Sequence, residues 1–225
     1  MKKRTAFIGA ILSLIPYGQP FFIKTGSVLS TAGIMLSLPK KVNAGSANFY
    51  FNSAYDKGEK GDHYGAISDY TKAIEINPND QDSYFNRAWN KGKLKDHYGA
   101  ISDYTKAIEI NPNNGDAYFN RGWNKEQLKD YYGAISDYTK AIEINPTYSK
   151  AYYNRGWNMD EIGDYYGAIS DYTKAIEINP QYNKAYINRG IAKEKIGDLK
   201  GACSDWRQAS YLGDDKAKNW VRQDC

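Results

Sequence analysis

Two histidines, His63 and His97, stand one 34-residue step apart, a spacing that invites an acid-base or metal-binding reading. At the next two steps Tyr131 and Tyr165 take the same place. A flat ring at a packed turn therefore satisfies the slot, and imidazole chemistry is not required. Ser68-Asp69 and its copies have no histidine partner and, as helix neighbours, face different directions. Lys72 and Glu75, one helical turn apart, make an ordinary surface pair. No glycine-rich phosphate loop, HExxH or CxxC occurs. The sequence thus predicts no catalytic residue, no metal site and no cofactor. Cys203 and Cys225 are the only cysteines, and two readings stay open. They form a disulfide tying the last helix to the preceding hairpin in an oxidising compartment, or Cys203 is a small core residue standing where other units carry isoleucine, with Cys225 free.

A denser pattern combines rings with primary amides. Phe51, Asn52 and Tyr55; Phe85, Asn86 and Trp89; Phe119, Asn120 and Trp123; Tyr153, Asn154 and Trp157; and Ile187, Asn188 and Ile191 recur with spacings i, i+1 and i+4, which keep each set on one helix face. An amide both donates and accepts, so it can pair with a peptide unit whatever side chain follows. Neighbouring rings supply apolar area and exclude water. The chemistry is that of gripping an extended polypeptide. In the competing arrangement the rings bridge adjacent units and the asparagines bond nearby backbone.

The elements that carry these sets are repeated. GAISDYTKAIEINP runs from Gly65 to Pro78 and recurs unchanged at Gly99, Gly133 and Gly167, with a diverged copy, GACSDWRQASYLGD, from Gly201. Ala66, Ile67, Tyr70, Ala73 and Ile74 form a helical stripe, and Asn77-Pro78 ends it because proline lacks an amide donor and biases its predecessor away from helix. The stretch before each copy, such as Asp116 to Trp123, reads as a second helix joined through a short turn at Lys129-Asp130. Tyr84 and Ala88, or Tyr152 and Gly156, must pack on the partner helix, so the ring and amide sets face the other way. A fixed period without insertion means stacked helix hairpins.

The units resemble the tetratricopeptide repeat family. In the fourth, Tyr152 holds the large aromatic slot, Gly156 the small crossing slot, Ala168 and Ala175 the tight contacts, Tyr172 the second ring and Pro180 the stop. The resemblance implies an all-α solenoid of five tandem 34-residue repeats, at 47–80, 81–114, 115–148, 149–182 and 183–216, whose first helices line a concave surface. It also implies a non-catalytic scaffold for another protein or peptide. One departure is that Arg87, Arg121, Arg155 and Arg189 stand where the family carries leucine. Either these guanidinium groups meet Asp69, Asp103, Asp137 and Asp171 of adjoining helices, or they lie solvated on the surface.

The ends differ as an array requires. Ser53 replaces the arginine in the first unit, and Gly58 and Gly61 weaken its helix. At the other end Ala217, Trp220 and Val221 make an apolar stripe on a capping segment, 217–225. Mean hydropathy of −0.72 and 15% aromatic content suit a soluble body dense in rings. Of the 30 Lys and Arg residues, Lys2, Lys3, Arg4, Lys24, Lys40 and Lys41 precede Gly45, where no acidic residue stands, so the body holds 24 against all 26 acidic groups. That balance leaves no basic excess to bind phosphates and argues against a nucleic-acid partner. Residues 1–44 combine a basic start, apolar runs from Ala6 to Ile23 and Val28 to Leu38, and Val42-Asn43-Ala44, which resembles a signal peptidase site. The expectation is export, with the leader removed after Ala44 or kept as a membrane anchor. A two-pass hairpin leaving the body on the cytoplasmic side, favoured by Lys40-Lys41, is the alternative. Self-association through an anchored assembly is the competing function.

Overall fold

The computed structural model describes residues 44–225, so the leader lies outside the described residues apart from Ala44. These residues form eleven α-helices: α1 (Ala44–Glu59), α2 (His63–Ile76), α3 (Gln81–Lys93), α4 (His97–Ile110), α5 (Gly115–Gln127), α6 (Tyr131–Ile144), α7 (Ser149–Glu161), α8 (Tyr165–Ile178), α9 (Asn183–Lys195), α10 (Leu199–Tyr211) and α11 (Asp215–Asp224). No strand occurs among them. Each helix packs chiefly on its neighbours in sequence, so the body is a solenoid of five hairpins closed by α11.

Local signals set the second helices. Asp62, Asp96, Asp130, Asp164 and Asp198 precede them, and each carboxylate accepts from the amide three residues on, which satisfies a donor the helix leaves orphaned. Asn77, Asn111, Asn145 and Asn179 end four of them just before proline. The stripe of Ala66, Tyr70, Ala73 and Ile74 and its copies is buried. Against it stand Ala54, Ala88, Gly122, Gly156 and Gly190 of the first helices, small enough for close crossing. A Cβ on Gly122 would lie 3.1 Å from the Tyr138 ring and 3.3 Å from the Ala134 carbonyl, and one on Gly190 would strike Trp206, which replaces tyrosine in the last hairpin.

The turn between paired helices needs a left-handed residue. Gly61, Gly163 and Gly197 supply it, but Lys95 and Lys129 adopt it with φ of 63° and 60°. Gly61 is thus a turn residue rather than a weakness of the first helix. Gly58 is buried inside α1 against the Asn90 amide.

The arginines explain the departure at their position. Arg87 Nε and Nη2 each donate to Asp103 at 2.8 Å, and Nη1 donates to Thr71 Oγ1 of the preceding hairpin at 3.0 Å. Arg121, Arg155 and Arg189 repeat the pattern with Asp137 and Thr105, Asp171 and Thr139, and Asp205 and Thr173. One side chain therefore bolts three helices together where leucine would only pack. The register corrects the expectation in one respect: each arginine takes the aspartate of its own hairpin, so the set ends at Asp205. Asp69 instead receives Ser53, Lys57 and Lys72. Burial raises the Asp69 pKa, but these three donors outweigh it and hold the carboxyl well below the ordinary range.

The last helix begins at Asp215, two residues earlier than the sequence suggests, because the Asp214 carboxylate caps it through the Ala217 amide. Ala217, Trp220 and Val221 cover Trp206 and Ala209. Cys203 and Cys225 form a disulfide between α10 and the chain end.

Candidate functional site

The ring and amide sets do not behave as one uniform strip. Phe85, Phe119 and Tyr153 pack against Tyr104, Tyr138 and Tyr172 of their own hairpins, with centroids 5.3, 5.5 and 5.7 Å apart. They are half-buried walls. Trp89 and Trp123 keep 37% of their surface exposed, each with its edge or face against His63 or His97 of the preceding hairpin. Trp157 is similarly set against Tyr131 but is more covered.

The amides are more engaged than their chemistry suggests. Asn86 and Asn120 donate to the backbone carbonyls of Asp82 and Asp116, four residues back, at 2.8 Å. Asn154 donates to the Tyr138 hydroxyl at 3.3 Å, and Asn188 to the Tyr153 hydroxyl at 3.0 Å. Helix carbonyls and neighbouring phenols thus take a donor from each side chain, which orients the amides and leaves their oxygens as the groups best placed to meet a ligand. Asn52 is separated from the others. It lines a shallow depression with Phe49 and Asp56 of α1 and Lys60 of the turn that follows.

A cavity of about 340 Å³ opens at the centre of the array. It joins Trp89, Phe119, Asn120, Trp123 and Asn154 with residues the sequence did not single out: Gly92, Lys93, Tyr104, Asn124, Lys150 and Tyr182. A smaller one, about 170 Å³, lies one hairpin earlier between Tyr55, Gly58, Tyr70, Phe85, Asn86 and Trp89. Tyr153, Trp157 and Asn188 line neither. Asn124 and its copies Asn90 and Asn158 sit four residues beyond the amides already noted, and that repeated amide was the available signal.

These second asparagines are buried. Each donates from Nδ2 to the backbone carbonyl four residues back, at 2.8 Å, which identifies Oδ1 as the free acceptor. His63 Nδ1 then donates to Asn90 Oδ1 at 2.9 Å and His97 Nδ1 to Asn124 Oδ1 at 3.0 Å. The imidazoles are thus more than flat rings. Where Tyr131 takes the place, Asn158 Oδ1 has no partner among the described residues. Next to it the Glu126 carboxylate accepts from Tyr138 Oη at 2.9 Å and Asn158 Nδ2 at 2.8 Å. Burial pushes the Glu126 pKa up, partly opposed by those two donors. Among the described residues no three His, Cys, Asp or Glu side chains gather as a metal set, and no helix is long and apolar enough to cross a membrane.

Stacked antiparallel helix pairs with a ring-lined inner face define a helical repeat protein of the solenoid class. Tetratricopeptide repeat models match residues 47–80 and 81–114, 115–148, and 149–182. The chain belongs to the tetratricopeptide repeat family. Among solved structures, one of the MamA protein is 27% identical, with a TM-score of 0.73 over 78% of this chain and 96% of that one. A second MamA structure is 28% identical, with a TM-score of 0.70 over 73% and 96%. YrrB, described as "a TPR protein with an unusual peptide-binding site", is 20% identical, with a TM-score of 0.71 over 80% and 94%, a likeness of fold. A search of curated proteins gave no match.

Proposed function

We propose that this protein binds an extended polypeptide along its concave face and acts as a non-catalytic scaffold. The observation that carries the reading is the central cavity, where the half-exposed Trp89 and Trp123 stand beside Asn120 and Asn154. Apolar walls with a few oriented polar groups are what a peptide anchor needs, and tryptophans in such places dominate affinity. The peptide-binding description of YrrB points the same way. The test is to measure the affinity of Trp123→Ala and Asn120→Ala for a partner captured from the native compartment, alongside their thermal unfolding. The reading expects Trp123→Ala to lose about 2 kcal/mol of binding or more and Asn120→Ala about 1, with both proteins folded. Variants that melt many degrees lower yet bind normally once folded would show that the strip is packing.

A second reading, a self-assembling module, draws on Phe49. This ring is 66% exposed on the outer face of α1, at the position where Ser83, Ala117, Ala151 and Ala185 are fully buried against a preceding helix. Sedimentation of the purified protein separates the two, since assembly needs no added ligand. For location, the disulfide between Cys203 and Cys225 supports an oxidising compartment and hence export. The N-terminal sequence of the native protein, beginning at Gly45 or retaining the leader as a tether, decides how the body is delivered.

A further inference from the structure

The second and third hairpins differ at one position with a chemical consequence. Gly92 occupies in α3 the place that Glu126 occupies in α5. Nothing in the backbone demands glycine there, since Gly92 lies inside a right-handed helix and glycine costs a helix about 1 kcal/mol relative to alanine. What its missing side chain leaves is the central cavity, with Gly92 in its wall.

Glu126 shows what this type of site holds when filled. Its carboxylate accepts from the hydroxyl of Tyr138 and from Nδ2 of Asn158. The matching donors around Gly92 are Tyr104 and Asn124, both at least nine-tenths buried and both lining the cavity. Asn124 Nδ2 spends one hydrogen on the Asn120 carbonyl. Among the described residues neither its second hydrogen nor the Tyr104 hydroxyl has an acceptor. The charged residues on the cavity wall, Lys93 and Lys150, are both basic. The equivalent cavity at Gly58 carries Glu59 instead, so only the central one is complementary to an anion.

We infer that the cavity at Gly92 receives a carboxylate side chain of the bound polypeptide, an aspartate or glutamate that takes the part Glu126 plays one hairpin later. The inference rests on the polypeptide-binding reading and sharpens it to ligands with an acidic anchor. The tryptophans flank that anchor, and Lys93 and Lys150 draw it in.

The probe is a library of random peptides of about 12 residues, roughly 40 Å when extended, displayed on phage and selected on the purified protein. The expected result is that the selected peptides share an acidic residue. Exchanging it from Glu to Gln should weaken binding to the unaltered protein about tenfold or more. Gly92→Glu fills the cavity with the protein's own carboxylate and should abolish that discrimination. Circular dichroism checks its fold, since a Cβ at Gly92 would lie 3.3 Å from Asn124 Oδ1, so the Asn124 amide must give by a few tenths of an ångström. Tyr104→Phe removes a donor at nearly constant volume and should cost the acidic peptide several-fold and the Gln peptide less, because a neutral amide oxygen is the weaker acceptor. Selected peptides anchored by an apolar residue, or a Glu to Gln exchange without effect, would overturn the carboxylate inference and leave the groove reading standing. If no peptide is enriched, the groove reading falls and the inference with it.

Discussion

Arg121 and Asp137 face each other across the third hairpin in a two-pronged ion pair, Nε to Oδ2 at 2.9 Å and Nη2 to Oδ1 at 2.7 Å, with the carboxylate only 3% exposed. Lys125 adds a third donor at 2.8 Å. In the fourth hairpin Met159 stands in the lysine's place, and among the described residues Arg155 is the one cation paired with Asp171.

That difference predicts unequal costs for the same deletion. Arg155→Ala leaves a buried carboxylate without a cation and should destabilise by about 3–5 kcal/mol. Arg121→Ala leaves Lys125 in place and should cost less, about 2 kcal/mol. Urea titration of both variants gives the order. Equal shifts of the midpoint would show that Lys125 contributes nothing.

Lys129 holds a left-handed turn that Gly163 and Gly197 fill in later hairpins. Lys129→Gly relieves the clash of Cβ with the following carbonyl, so it should stabilise by about 1 kcal/mol and raise the melting temperature by roughly 2–4 °C. Calorimetry checks the sign. A lower melting temperature would mean that added freedom in the unfolded chain outweighs relief of the turn.

Glu126 gives stability a pH dependence of known sign. Its folded pKa is raised by burial, so in the window from the ordinary glutamate value up to the raised one the folded protein binds more protons than the unfolded. The contribution is greatest below that window and falls as pH rises through it. Glu126→Gln keeps an acceptor for Tyr138 and Asn158 but cannot ionise. Urea midpoints measured from about pH 4 to pH 8 should fall less for the variant than for the parent.

The disulfide closes a 22-residue separation between α10 and the chain end. Reduction should cost about 3 kcal/mol, and the loss should concentrate where α11 covers Trp206, since each hairpin touches mainly its neighbours. Hydrogen exchange with and without reductant checks this. Uniform loss of protection along all five hairpins would contradict it.

The fold was legible because the repeat states its own periodicity. Ala66, Tyr70, Ala73 and Ile74 recur at fixed spacing, Asn-Pro marks each stop, and the small residue at Ala88 or Gly122 marks each crossing. All of these are local signals or follow from helix geometry. The likeness between repeats also placed Trp89, Trp123, Asn120 and Asn154 on one face, and the structure gathers those four around one cavity.

The sequence by itself determined the helices, their number and their stacking order, because propensity, capping and the hydrophobic stripe act within a few residues. Only the tertiary structure decided which groups meet across helices. It gave Arg87 to Asp103 rather than Asp69, tied the Asn120 amide to its own helix backbone, joined Cys203 to Cys225, and set Tyr104 and Asn124 around the space left by Gly92. Such pairings depend on the rotation and distance between packed helices, a few ångströms that no spacing along the chain specifies.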